Sequence, residues 1–516
     1  MIKSMSRGFI ARSVKPQEMA QMKGGMQRHI SLNRLNSTSS KNLHRPDSAG
    51  SLDPAEAADA AATILADKND LQKLPNKATW LEALKEREKQ LAAGKVIDSY
   101  SYKTPVTTEV SDRSRSDSFS YLSLPFKDDK WLCDAYINAN GRLRAGQLFQ
   151  DLDALAGRIG YRHCSPAEPV NVTASVDRIY MVKKVDEIDK FNFVLAGYVT
   201  WTGKSSMEIC VKGYAFDGKL PSSITEDTLP EENVFLSANF TFVARNPSTH
   251  KSFTINRLLP RSEREWIDYK RAESRNAKKK LAAKMQHYIQ PSDEENRLIY
   301  DMWRSSKNYE SKGISVKHAS FVKDTRVNST LFMQPQYRNR HSYMIFGGYL
   351  LRQSFELAYC AGAAFAGAGP RFVSLDSTTF KAPVPVGSVL SMTASISYTE
   401  HLREDESNLD DSSPFDFILP STNKISSNPD AFLSEPGTLV QVRVDTTIKP
   451  LDSTEAKESG TFIYSFFVPK SSYPEGDAGF CSIIPQTYSE MMEYIEGRRR
   501  AQDTATFSST LPKAKL

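Results

Sequence analysis

One order of elements occurs twice in this chain, and that repeat constrains the fold more than any other feature. In the first copy Leu148, Leu152, Leu155 and Ile159 recur at spacings of three and four, the mark of a helix burying one face. Runs with period-two alternation follow: Val170–Val176, Phe191–Trp201, Met207–Phe216 and Phe235–Ala244. In the second copy Gly347-Gly348 opens an apolar helix, Tyr349 to about Phe365. Strand-like runs follow at Arg371–Phe380, Val389–Tyr398, Leu439–Ile448 and Thr461–Val468. A small-residue helix start precedes a strand carrying Ser-apolar-Asp in both copies. Gly146 precedes Ser175-Val176-Asp177, and Gly348 precedes Ser374-Leu375-Asp376. The fold class is therefore α+β, one module used twice, each an antiparallel sheet against one long helix. The second helix is apolar nearly all round, so its sheet is expected to wrap it.

Around the two modules the chain divides into six segments. Residues 1–47 are a leader and 48–110 a helical extension, with a helix over Thr79–Leu91. The modules occupy 111–260 and 311–500, joined by a charged helical connector at 261–310. An acidic insertion, 401–437, interrupts the second sheet, and 501–516 are expected to be a disordered tail.

The net charge of +6 would hint at a polyanion partner if it were spread over the surface. Residues 1–46 hold nine basic side chains and one acid, Glu18, so that segment carries +8 and the rest of the chain −2. Arg-rich, Ser-rich and nearly free of acids, the segment fits a mitochondrial transit peptide. The basic cluster Arg271–Lys280 is interleaved with acids and has no aromatic platform beside it. It is expected to be a solvated helix face, and no nucleic acid is expected to bind.

Five scattered cysteines without a Cys-x-x-Cys pair argue against a disulfide framework or structural zinc. The eight histidines form no metal-binding spacing, so neither metal nor cofactor is expected. His163, beside Cys164 at a helix end, fits a dipole-matched cap, and His341 has no identifiable orienting partner. No apolar run approaches 18 residues, so no membrane span is expected. There is no Gly-x-Ser-x-Gly elbow, and Gly197–Ser205 has one residue too many between its glycines for a phosphate loop.

Several segments together resemble the double-hotdog acyl-CoA thioesterases, and their mitochondrial branch in particular. In the first module these are Arg144-Ala-Gly-Gln-Leu-Phe-Gln-Asp-Leu-Asp, Val172-Thr-Ala-Ser-Val-Asp and Trp201-Thr-Gly-Lys-Ser-Ser-Met-Glu. In the second they are Asn339, Phe346-Gly-Gly-Tyr-Leu, Phe355-Glu-Leu-Ala-Tyr, Phe380-Lys-Ala-Pro-Val-Pro-Val-Gly and Pro485-Gln-Thr-Tyr. The resemblance spans about residues 110–500 and implies two hotdog domains paired as an internal pseudo-dimer. It also implies hydrolysis of fatty acyl-CoA at a composite site between them, and a homo-oligomer of double-hotdog units. Carried over residue by residue, the acid is Asp153 and the Asn is Asn339.

Elementary chemistry agrees with that carry-over. Thioester hydrolysis needs an activated water and stabilisation of an oxyanion, and a helix N-terminus supplies unpaired N–H groups for the latter. Gly348, after Gly347, is the candidate donor; Asp153 would orient or deprotonate water, and Asn339 would position water or the carbonyl. Lys204, Ser205 and Ser206 are candidates for contact with coenzyme A, or simply a β-turn. At the second composite site Phe355 stands in the acid position with Glu356 beside it, and Asn140 is the Asn candidate. That site is expected to be degenerate. Two rivals remain: a hotdog hydratase or dehydratase, which usually needs a helix-borne His that neither module has, and a non-catalytic acyl-CoA-binding protein.

Overall fold

The computed structural model describes residues 107–285, 289–313, 319–339, 344–404, 422–429, 431–477 and 479–510. The expected leader, the helix over Thr79–Leu91, His341 and residues 405–421 and 430 of the acidic insertion lie outside the described residues.

Each period-two run forms a strand, and the helical patterns form helices where their spacing places them. The first module holds α1 (Ala145–Cys164), with β1 (Ser120–Leu124), β2 (Val170–Met181), β3 (Asn192–Thr202), β4 (Ser206–Phe216) and β5 (Val234–Arg245). Next come α2 (Glu263–Met285) and α3 (Asp293–Lys312). The second module holds β6 (Val327–Phe332), α4 (Gly347–Ala366), β7 (Arg371–Phe380), β8 (Val389–Leu402), β9 (Gly437–Lys449) and β10 (Lys457–Pro469), and α5 (Tyr488–Thr510) ends it.

All ten strands join one sheet in the order β1-β3-β4-β5-β2-β7-β10-β9-β8-β6. Counted outward from the middle, the two halves have the same order. The halves meet edge to edge through antiparallel pairing of β2 with β7, with Leu375 opposite Ile179 and Thr378 opposite Val176. Pairing the two innermost strands leaves neither module an open edge at the centre. The Ser-apolar-Asp motif has a visible role, because it sits on an irregularity in each of these strands. Ser175 donates to Asp177 at 2.8 Å and Ser374 to Asp376 at 2.7 Å.

Helices α1 and α4 lie under their own half-sheets and meet each other at their N-terminal ends. Phe149 of α1 packs edge-on against Phe355 of α4 with ring centroids 5.1 Å apart, and Arg352 reaches Gln150 at 3.3 Å. Leu148, Phe149, Leu152 and Ile159 are fully buried, as the spacing of α1 requires. Strand β3 is buried along its whole length, since the other face of the sheet is covered too.

Two sequence expectations change here. The tail expected at 501–516 is helical as far as Thr510, because Ala501 and Thr504 turn a small-residue face onto the sheet and Thr504 donates to Asp376. The basic stretch of α2 is only partly solvated. Arg275 binds the fully buried Glu208, and Lys279 pairs with Asp177, so this helix is clamped to the sheet's outer face. Helices α2 and α5 thus do the same work for the two halves.

Candidate active site

Asp153 projects from the third turn of α1 and is 1% exposed. It faces the start of the other module's helix: a Cβ added at Gly347 would lie 3.1 Å from Asp153 Oδ2 and 3.2 Å from Thr173 Oγ1. The Thr173 hydroxyl, on β2, donates to Asp153 Oδ1 at 2.9 Å. The Gly348 backbone amide faces the same carboxylate, although Oδ2 has no hydrogen bond of ordinary geometry. Burial pushes the Asp153 carboxyl up to about 6, against the opposing effects of Thr173 and Gly348. A carboxyl poised there exchanges a proton readily near neutral pH.

Helix α4 begins without a side-chain cap, because its N-cap is Phe346. Its first N–H groups are therefore left for other partners, Asp153 or a ligand oxygen. Glycine is required at the second position, where a Cβ on Gly348 would approach the Gln150 carbonyl oxygen to 2.9 Å and the Phe346 ring to 2.7 Å. Asn339 lies in the loop before this helix, its backbone N–H bonded to the Met344 carbonyl at 2.8 Å. The structure thus brings Asp153, Gly347 and Gly348 together across the two modules, with Asn339 in the segment that leads into α4.

Lys204, Ser205 and Ser206 form the β3–β4 hairpin turn, closed by Gly203 N–H to the Ser206 carbonyl at 2.7 Å. Thr173 pairs with Phe242, and Phe242 with Met207, so the turn lies at the Thr173 end of the sheet, two strands away. This turn does not form part of the Asp153 cluster.

The quasi-equivalent arrangement at the other crossing differs in chemistry. Phe355 holds the helix position of Asp153, and Phe372 holds the strand position of Thr173, two residues before the Ser-apolar-Asp motif. Glu356 pairs with Arg144 at 2.8 Å, and the Asn140 side chain donates to the Tyr359 hydroxyl at 2.9 Å. Glu356 does face the start of α1, 3.1 Å from where a Cβ on Gly146 would lie, but unlike the buried Asp153 it is part-exposed and held in the ion pair with Arg144.

Sequence reasoning missed Thr173, whose signal was a polar residue in the strand facing the helix. It also missed Asp151, a buried acid that burial raises to about 7 and that Tyr136 holds by a hydrogen bond. His163 does not act as a charged cap. Burial lowers its pKa, so the ring is neutral and bonds to the Asn256 carbonyl at 2.9 Å. Asn256 instead caps the end of α1, donating to the His163 and Ser165 carbonyls at 2.9 and 3.2 Å. Among the described residues no cluster of His, Cys, Asp and Glu could hold a metal, and no helix is long and apolar enough to cross a membrane.

A sheet wrapped twice around a pair of crossing helices defines a double-hotdog protein, and here a buried acid is set against a glycine helix start. No protein-family model matches the sequence. The chain is 31% identical over 399 residues to acyl-coenzyme A thioesterase 2, chloroplastic, of Humulus lupulus, covering 76% of this chain and 82% of that one. It is 32% identical over 302 residues to acyl-coenzyme A thioesterase 4, mitochondrial, of the same plant, covering 57% and 55%. Against mouse acyl-coenzyme A thioesterase 9, mitochondrial, it is 26% identical over 406 residues, covering 76% and 79%. The chain belongs to the acyl-coenzyme A thioesterases and is a thioester hydrolase of acyl-CoA.

Proposed function

We propose that acyl-CoA is hydrolysed at the composite site of Asp153, Gly348 and Asn339. The observation that carries this reading is the burial of Asp153 against the first turn of α4, with its proton affinity raised to about 6. The thioester oxygen sits on the Gly348 N–H, where the uncapped helix end stabilises the charge that develops on it. Asp153 takes a proton from water as the water oxygen bonds to the carbonyl carbon, and Thr173 fixes the carboxylate's orientation. Asn339 positions the water or the carbonyl. Collapse of the intermediate breaks the carbon–sulfur bond, and the proton from Asp153 passes to the departing thiolate. The products are a fatty acid and coenzyme A.

The β3–β4 turn, with Lys204, Ser205 and Ser206, contacts coenzyme A as it leaves that end of the sheet, and Gly347 lets the substrate approach the helix start. The Phe355/Glu356 site does not hydrolyse. The basic leader directs the chain to the mitochondrial matrix, a reading supported by the mitochondrial names of two of the relatives above and opposed by the chloroplastic one. Trp266 and Trp303, both 46% exposed on the connector helices, support a homo-oligomer of double-hotdog units.

Thiol release from short, medium and long acyl-CoA tests the reading. The wild type is expected to release thiol and Asp153→Ala to lose that activity. Equal turnover by the variant sinks the site assignment, and no turnover on any chain length favours a non-catalytic acyl-CoA-binding protein.

A further inference from the structure

The degenerate crossing is not filled in. A cavity of about 330 Å³ lies where the quasi-two-fold relation puts the second site, beside the start of α1. Phe355, Phe372 and Tyr359 line it, in the places of Asp153, Thr173 and Gly157. The carboxylate, the hydroxyl that would orient it and the open glycine have all become aromatic. The carboxylate that remains at the α1 start, Glu356, is tied to Arg144 at 2.8 Å, and the floor is apolar.

The rim carries three guanidinium groups against two carboxylates, Asp186 and Glu356. Arg142, Arg144 and Arg371 line the cavity, and Arg371 is only 12% exposed along its side chain. Their counter-charges are shared. Arg142 lies 3.4 Å from Asp186, and Arg371 lies 3.5 Å from the same Asp186 and 3.1 Å from Glu435. Arg144 is paired with Glu356. Two guanidinium groups thus draw on one Asp186 carboxylate, and the Arg371 Nε is buried without a hydrogen-bond partner. Burial, and next to it the charge of Arg371, lower the proton affinity of Arg142, as expected of cations crowded at a cavity mouth.

We propose that this cavity binds, without turnover, an anion carried on an apolar body, the chemistry shared by a free fatty acid and by other amphipathic organic acids. The apolar part lies on Phe355, Phe372 and Tyr359, and the anionic head bonds to Arg142 and Arg371. An arginine fork suits a carboxylate, and aromatic walls exclude water from the pair. The absence of turnover rests on the role given above to Asp153; the binding does not.

Equilibrium dialysis of radiolabelled decanoate against the full-length protein tests this independently of any hydrolysis assay. One saturable site per chain is expected, retained in Asp153→Ala, weakened about ten-fold or more in Arg142→Gln and only partly restored in Arg142→Lys, which keeps the charge but not the fork. Loss of the site in Asp153→Ala would place it in the active centre and overturn the proposal. So would Arg142→Gln binding as tightly as wild type, or no saturable binding at all. Should Arg142→Gln fail to fold, Tyr359→Trp, which fills the cavity, must lower occupancy in folded protein, and unchanged binding by it refutes the idea. Inorganic phosphate and free coenzyme A are the comparison ligands. Competition by either as tight as that of decanoate removes the need for an apolar body and overturns the assignment.

Discussion

Asp153 and Phe355 stand at the ninth position of two helices that are each twenty residues long, and each faces the start of the other helix. Around Asp153 the neighbours are a threonine hydroxyl, a backbone amide and, one turn on, Gly157, whose Cβ position is open space. Around Phe355 they are aromatic: Phe149, Phe372, Tyr464 and Phe466 all lie within 6 Å, centroid to centroid. One backbone arrangement thus supports two outcomes, because a few side chains decide whether the crossing centres on a carboxylate or on aromatic rings. A duplicated module allows this division, since stability supplied by one crossing permits a buried acid at the other.

The sharpest break of the comparison removes the two equivalent side chains in turn. Asp153→Ala is expected to lower kcat about 1,000-fold with little change in KM, the loss typical of a general base. Phe355→Ala is expected instead to cost stability, about 3–5 kcal/mol, as a large buried aromatic does. Thiol-release kinetics and denaturant unfolding of both variants check the pair, and a kcat loss at Phe355 comparable to that at Asp153 would end the division of labour.

Asp153 also carries a cost that Phe355 does not. Its carboxyl is raised in the folded state, from 3.8 to about 6, so the folded chain holds the proton more tightly than the unfolded one. That contribution is fully present below the unfolded value and is lost as pH rises through about 6. Asp153→Asn, which cannot ionise, is expected to be inactive yet to gain stability relative to wild type at pH 8 by about 3 kcal/mol. At pH 4 that gain is expected to be nearly absent. Unfolding midpoints of both proteins at the two pH values measure it, and a gain independent of pH contradicts the assignment of the raised group.

Much of this contrast was legible in the sequence, for particular reasons. The strands alternate with period two, because one face of the sheet meets a helix, so their positions could be read along the chain. The helix starts could be read from Gly146 and Gly347-Gly348. Asp153 was only half legible, because an acid on a helix is normally solvated and its burial depends on a glycine nearly two hundred residues away. Thr173 was hidden, since threonine in an alternating run looks like a strand former and nothing local reveals that it faces a carboxylate. The last turns of α5 were hidden too. Ala501 and Thr504 are small and only weakly apolar, and they become a buried face only once the sheet is beneath them. The cavity beside Phe355 had no sequence signal, because it arises from the mismatch of aromatic walls with an arginine rim contributed by separate segments.

Thr173 separates orientation from proton transfer. Its hydroxyl favours the ionised Asp153, so Thr173→Val is expected to move the acid limb of the kcat profile upward by about one pH unit. At pH 8 kcat is expected to fall about ten-fold, much less than for loss of the acid. A profile that keeps its acid limb while kcat falls would mean that Thr173 serves packing rather than the carboxylate.

The smallest effect concerns the glycines on the two faces of α1 and α4. A Cβ at Gly157 meets nothing within 4 Å, so Gly157→Ala adds a better helix former without a clash and is expected to stabilise by about 0.5–1 kcal/mol. Gly348→Ala drives its new carbon to 2.9 Å from the Gln150 carbonyl oxygen, which belongs to backbone and cannot swing away, so the helix crossing itself must shift. The two substitutions are chemically identical and both lie within helices. Opposite signs in their unfolding free energies, with catalysis impaired only in Gly348→Ala, would show that glycine at the α4 start is fixed by the approach of the two helices. If both proteins gained stability, the close contact between α1 and α4 would not exist in solution, and the composite site built on it would have to be abandoned.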